Sequence, residues 1–231
     1  MKNKIYIHFS VDDVFKSLIE VTDKNIPLKK HWFFSQIYNL WKNYKIRTGL
    51  YLFYKGKING KMRYLTEVKN LKNELKEKWI YFGPHALDFN SPPHKFSLKQ
   101  QKIQIQKIYD QIDRFAGLKN LAKKVRLHEY SECYELADLF KKYNVNTLFT
   151  TDREVGAHRL PIKNRKELIK KGNTNYKHMN FIRTNFRVEN LKKNIKLNQI
   201  VFDRFFKKKK TIIIYSHEYE LKKEKVKKLL K

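Results

Sequence analysis

Two adjacent carboxylates, Asp12 and Asp13, follow directly on the first apolar run of the chain, KIYIHF at residues 4–9. Side-by-side carboxylates repel one another unless a cation or an arginine compensates them. Groups that could do so, or could join them, recur at the ends of later apolar runs. His85 follows Gly83-Pro84, with Asp88 and His94 close behind; Arg126-Leu127-His128-Glu129 ends a fourth run, Asp152 a fifth, and Ser216-His217-Glu218 the last. Taken singly, each reads as a turn, cap or satisfied polar residue. Gathered at one end of a fold, carboxylate and imidazole without thiolate suit Zn²⁺ or another borderline divalent ion with positions left for water. One Asp and one or two His would hold the ion, and a second carboxylate would take the proton from its water, a hydrolytic site by type. No GxxxxGK[ST] loop, GxGxxG turn, GxSxG elbow or HExxH helix is present. Cys133, the single cysteine, reads as a small core residue, and His31, His158 and His178 are assigned no role.

The elements that must position these groups follow from hydrophobic periodicity. Residues 4–9, 48–54, 79–82, 125–127, 147–150, 181–187 and 211–215 read as strands. Between them 32–44, 64–78, 98–115 and 134–143 carry helical spacing. Asn59-Gly60 reads as a turn, Gly117 as a helix stop, 153–177 as a long polar segment, and the Lys-rich end from Glu218 as a helix. Alternating strands and helices predict an α/β fold with a largely parallel sheet or barrel and helices outside. Ligands of such folds bind at the carboxyl ends of the strands, where the polar set falls.

With the polar set in place, HFSVDDV resembles the first motif of the polysaccharide deacetylase superfamily (NodB-homology fold). FGPHALD resembles its second motif, RLHEYSE its arginine motif and IIIYSHE its closing histidine motif. The resemblance runs in order from Ile5 to Glu218, and with TNFRVEN it looks like an uncharacterised branch. It implies an irregular seven-stranded (β/α) barrel and a metal-dependent hydrolase removing an N- or O-acyl group from a carbohydrate. It also implies roles: Asp12 as base, Asp13 and His85 as metal ligands, Arg126 to hold Asp12 ionised and aimed, and His217 as general acid. The family's second metal histidine would fall on Phe89, which cannot ligate, so Asp88, His94 or His128 is left as the third ligand. Trp79, Tyr81 and Tyr130 could offer sugar-stacking faces.

Composition bounds the alternatives. A chain of 231 residues, 41% hydrophobic and 14% aromatic, can bury a core as one domain, 1–231. The short apolar run at its start, broken by Asp12 and Asp13, fits neither a signal peptide nor a membrane span, which predicts a cytoplasmic protein. The charge of +30 is Lys-dominated and spread along the chain, so specific nucleic-acid recognition is not expected. Non-specific polyanion contact through the Lys-rich surface is compatible with it. Two further readings stay open: the same barrel acting on a glycosidic bond or binding a glycan without turnover, using Asp12 or Asp13 with Asp152, Glu129 or Glu218; and a basic polyanion- or nucleic-acid-binding module contacting through Lys207–Lys210 and the C-terminal helix.

Overall fold

The computed structural model describes residues 6–131, 134–151, 159–191, 211–224 and 226. Cys133, Asp152, His158, Lys207–Lys210 and most of the C-terminal lysine run lie outside them. Among the described residues, no helix is long and apolar enough to cross a membrane.

In chain order the elements are β1 (Tyr6–Val14), α1 (Lys16–Asp23), α2 (Trp32–Tyr44), β2 (Thr48–Phe53), β3 (Lys55–Ile58), β4 (Lys61–Tyr64), β5 (Ile80–Ala86) and α3 (Leu98–Ala116). They continue with β6 (Lys124–Val125), α4 (Ala137–Lys142), β7 (Thr147–Thr150), α5 (Ile162–Lys171), β8 (Asn173–Tyr176), β9 (Met179–Arg183), β10 (Phe186–Arg187) and β11 (Thr211–His217). One sheet has the order β10-β11-β1-β2-β5 with every pair parallel. A second has the order β6-β7-β9-β8, parallel except for β8.

The two sheets touch at both margins. Phe82 of β5 bridges Leu121 just before β6, with Ala122 N–H donating to Phe82 O at 2.8 Å. At the other margin only two residues separate β9 from β10, and of these Thr184 N–H donates to Thr150 O and Asn185 N–H to Ile213 O. The α/β class with parallel sheets is therefore as the alternation required. The strands form two separate ladders, and no continuous ladder closes a barrel among the described residues.

Local chemistry explains the elements that hold the site. β2 is buried at every position, as a parallel strand covered on both faces must be. α3 opens on a capping box between Ser97 and Gln100 and stops at Gly117, whose φ of +82° an L-side chain rarely adopts. It buries Ile105, Ile108, Ile112 and Phe115, each contributing about 1.5–3 kcal/mol of apolar transfer. α2 buries Phe33, Phe34, Ile37 and Leu40, and His31 Nδ1 accepts the Phe33 N–H at its start.

Several expectations fail in instructive places. Residues 64–78 are not an α-helix but the end of β4 followed by two 3₁₀ turns. There Leu65, Val68, Leu71 and Leu75 are all buried, while Asn70 Oδ1 accepts Lys72 N–H and offers the backbone a turn instead of a helix. The polar segment 153–177 contains α5 and β8, whose single buried helical residue, Leu168, leaves almost no apolar stripe to read. The strand expected at 181–187 is two strands, β9 and β10, shared between the sheets.

Candidate metal centre

β1 does not simply end at its carboxylates; it carries them through a bulge. The register of β1 against β2 breaks between Val11 and Val14, and Asp13 sits at φ +60°. A regular strand points consecutive side chains to opposite faces, whereas a bulge re-aims one of them. Both acids thus serve one end of the sheet, with Asp12 at the register position opposite His217 of β11.

Asp13, His85 and His128 form the centre, with one potential ligand atom from each lying within 4.8 Å of the others. Asp13 Oδ1 is 3.2 Å from His85 Nε2 and 3.6 Å from His128 Nδ1. The imidazoles are oriented from behind by main-chain carbonyls, which can only accept. His85 Nδ1–H donates to Arg126 O at 2.8 Å, and His128 Nε2–H donates to Phe89 O at 2.9 Å. The remaining nitrogens, His85 Nε2 and His128 Nδ1, both present lone pairs and lie 3.2 Å apart. Two lone pairs and a carboxylate facing one point repel unless a cation occupies it. Asp13 Oδ1 is correspondingly buried without a hydrogen-bond partner. Outer-shell bonds of this kind fix the tautomers of metal-bound histidines. The donor set, one carboxylate and two neutral imidazoles, fits a borderline divalent ion.

The electrostatics agree. Burial, then the neighbouring His85, lowers the His128 imidazole to about 4, keeping it neutral and able to ligate near pH 7. Burial raises the Asp13 carboxyl, but its close contact with His85 and the other imidazoles around it outweigh this and hold the group below its ordinary value.

Beside the centre, Arg126 is almost wholly buried and reaches Asp12 Oδ1 at 3.0 Å, Ser10 Oγ at 2.8 Å and Thr184 Oγ1 at 3.1 Å. Its guanidinium lies 4.2 Å from the Tyr215 ring centroid, so packing as well as charge fixes it. His217 Nδ1 pairs with Glu189 Oε1 at 2.5 Å. Burial lowers the His217 imidazole, yet the Glu189 bond and the charges of Asp12 and Asp13 more than offset this and raise it above its ordinary value.

Of the three candidates for the third ligand, His128 is in the cluster. Asp88 is paired with Lys55 at 3.3 Å and accepts the Asn90 N–H, and His94 hydrogen-bonds Ser131 Oγ at 2.9 Å. Neither belongs to the cluster. Phe89 supplies no ligand atom, but its carbonyl orients the histidine that does. Glu218, one of the carboxylates considered for glycosidic chemistry, is buried and accepts the N–H groups of Phe15, Lys16 and Ser17 at the start of α1. Glu129 is half exposed, 3.7 Å from His94. Glu189 is the group that spacing did not mark, and Arg187 two residues before it donates from Nε to Tyr215 Oη at 2.6 Å.

A cleft of about 630 Å³ leads to Asp13, lined by Trp32, Phe53, Phe89 and Tyr219 among others, and by Lys16, Lys55, Lys57 and Lys222. Phe89 and Tyr219 are 62% and 54% exposed, and Tyr219 stacks on His217. The aromatics singled out in the sequence lie elsewhere: Trp79 is wholly buried, Tyr130 bonds Tyr215, and Tyr81 bonds Arg47. One wall of the cleft is the β3–β4 hairpin. It packs so closely at Gly56 that a Cβ there would meet the Phe15 ring at 2.9 Å.

No protein-family model matches the chain, and no curated protein sequence matches it. Solved structures do. The 4-α-glucanotransferase of Thermococcus litoralis superposes with a TM-score of 0.53 at 10% identity over 99% of this chain, which spans 37% of that protein's length. A proposed polysaccharide deacetylase involved in O-antigen biosynthesis from Bordetella bronchiseptica gives a TM-score of 0.47 at 11% identity, covering 93% of this chain and 72% of that one. A de-N-acetylase from Aggregatibacter actinomycetemcomitans gives 0.38 at 9% identity, covering 70% and 91%. At these identities the likeness to the glucanotransferase is one of fold alone, a parallel α/β architecture.

Proposed function

We propose that the protein is a metal-dependent hydrolase that removes an N- or O-acyl group from a carbohydrate, its 231 residues forming one domain whose two sheets are halves of an irregular barrel. The observation that carries this reading is the pair of inward lone pairs, on His85 Nε2 and His128 Nδ1, set beside the unsatisfied Asp13 Oδ1. Asp13, His85 and His128 would hold a divalent ion, with zinc the best match to the donor set. Such an ion, when bound, polarises an acyl carbonyl and lowers the pKa of water toward neutrality.

The rest belongs to the chain's own groups. Asp12, paired with and aimed by Arg126 at 3.0 Å, accepts a proton from the attacking water as the water oxygen bonds to the acyl carbon. His217, held protonated by Glu189, donates its proton to the departing nitrogen or oxygen as the acyl bond breaks. The products are a free carboxylate and the amine or hydroxyl of the sugar. Phe89 and Tyr219 at the cleft mouth offer faces to sugar rings.

The test is elemental analysis of the purified protein beside Asp13→Ala, His85→Ala and His128→Ala, together with release of acetate from N-acetylated and O-acetylated sugars. One divalent ion per chain, lost in all three variants along with acetate release, supports the assignment. Equal metal content in wild type and variants sinks it.

A further inference from the structure

The same strands that carry the metal centre at their carboxyl ends open a second cleft at their amino ends. It measures about 620 Å³ and is lined by His8 of β1, Gly49 of β2, Tyr81 of β5 and Lys124 of β6, with Tyr143 and Asn144 from beyond α4. Five cations surround it, Arg47, Lys78, Lys119, Lys123 and Lys124, and no carboxylate lines it.

A lysine-rich chain scatters ammonium groups everywhere, so number alone means little. The absence of acids does separate this group. The four lysines of the cleft at the metal centre share its lining with Asp13, Asp88 and Glu218, and Lys55 there is paired with Asp88. Among the described residues, none of the five cations of the cleft lies within 4.0 Å of a carboxylate. Five like charges converging on one concavity repel one another, and the resulting field attracts a compact counter-anion of several charges.

The floor is polar and ordered. His8 Nε2 is 3.3 Å from Tyr51 Oη, which donates to Lys124 O at 2.8 Å, and Arg47 is steadied by Tyr81 Oη at 2.7 Å. Burial above all, then Arg126 and Lys124, lowers the His8 imidazole to about 3, so the floor adds no charge of its own near pH 7.

We propose that this cleft is a second ligand site, separate from the metal centre, and that it takes a diphosphate group. The volume is that of a small-molecule site. All five cations line one cleft of small-molecule size, which favours a compact diphosphate over a nucleic-acid strand. The diphosphate could be free or part of a nucleotide, and Tyr81 and Arg47 at the rim would distinguish the two by stacking on a base.

Calorimetric titration of the full chain with inorganic pyrophosphate, in about 0.15 M salt where surface charges are screened beyond about 8 Å, tests this. A Lys119→Glu/Lys123→Glu double variant is compared with a control pair on the exposed face of α5, Lys163→Glu/Lys170→Glu. Expected are one pyrophosphate per chain, at least tenfold weaker binding in the cleft variant, and a change of less than twofold in the control. Binding should persist in Asp13→Ala, which separates the cleft from chelation at the metal centre and leaves its outcome independent of the deacylation reading. Tighter binding of uridine diphosphate than of pyrophosphate would identify a nucleotide as the source; equal binding would identify the free anion. Absence of one-to-one binding, equal weakening in both double variants, or preference for an RNA oligomer over pyrophosphate would overturn the proposal.

Discussion

Two imidazoles set 3.2 Å apart, each with its N–H tied to a main-chain carbonyl, leave little freedom in how the centre is assembled. Because Phe89 acts through its carbonyl, Phe89→Ala should keep the metal, whereas His128→Ala should lose it as fully as His85→Ala does; metal analysis of the three variants checks this. Glu189 presents a second test. His217 must carry a proton to donate it, and the Glu189 bond raises its imidazole, so the protonated form persists to higher pH than for a free histidine. The alkaline limb of the rate profile should therefore lie above the ordinary histidine value. In Glu189→Gln it should move to lower pH with a fall in kcat of about 10- to 100-fold, the size expected of an impaired general acid. A fall in kcat with no movement of the limb would assign Glu189 to structure alone.

Among the elements, α1 depends on a residue from the other end of the chain. No side chain caps it locally, and Glu218, directly after β11, accepts three of its first amide N–H groups. Glu218 N–H also donates to Asp12 O at 3.0 Å, so one residue ties β11, the bulge of β1 and α1 together. Glu218→Ala would leave buried amides without acceptors at about 1–3 kcal/mol. Thermal or urea unfolding should show that loss, with metal content retained at temperatures where the variant is folded. The hairpin makes a similar prediction. Gly56→Val should push β3–β4 away from Phe15, cost about 1–3 kcal/mol through overpacking, and widen the cleft before the centre. Unfolding and substrate KM would report the two effects separately.

For the molecule as a whole, His8 is one source of pH response, beside His128, whose imidazole burial also lowers. Its folded-state value of about 3 lies below the unfolded imidazole value of 6.5, so between these pH values the unfolded chain binds more protons. The contribution is fully present above pH 6.5 and is lost as pH falls toward 3. Stability of His8→Gln should fall less steeply across that window than wild type in a series of urea melts. The placement of two clefts at opposite ends of the same strands puts Arg126 and the His8–Tyr51 pair between them, within one packed interior. A change that disturbs this core would reach both.

Much of this was legible in the residues alone. Alternating apolar runs and amphipathic helices dictated an α/β class, because period and burial must agree in a parallel sheet covered on both faces. The rule that ligands bind at strand carboxyl ends singled out Asp12, Asp13, His85, Asp88, His94, Arg126, His128, Glu129, Asp152, His217 and Glu218; of these, Asp13, His85 and His128 cluster, and Asp12 meets Arg126 and lies opposite His217. Where local signals were weak, reading failed: residues 64–78 carry helical spacing but turn because tertiary burial favours the turns, and α5 presents scarcely any apolar face. Only the tertiary structure placed His128, and not Asp88 or His94, beside Asp13 and His85, since that placement depends on which side chain the left-handed turn at Glu129 and the Phe89 carbonyl deliver to Asp13. Only it paired Glu189 with His217, 28 residues away, because a contact between strand ends is set by sheet register, which no local pattern encodes.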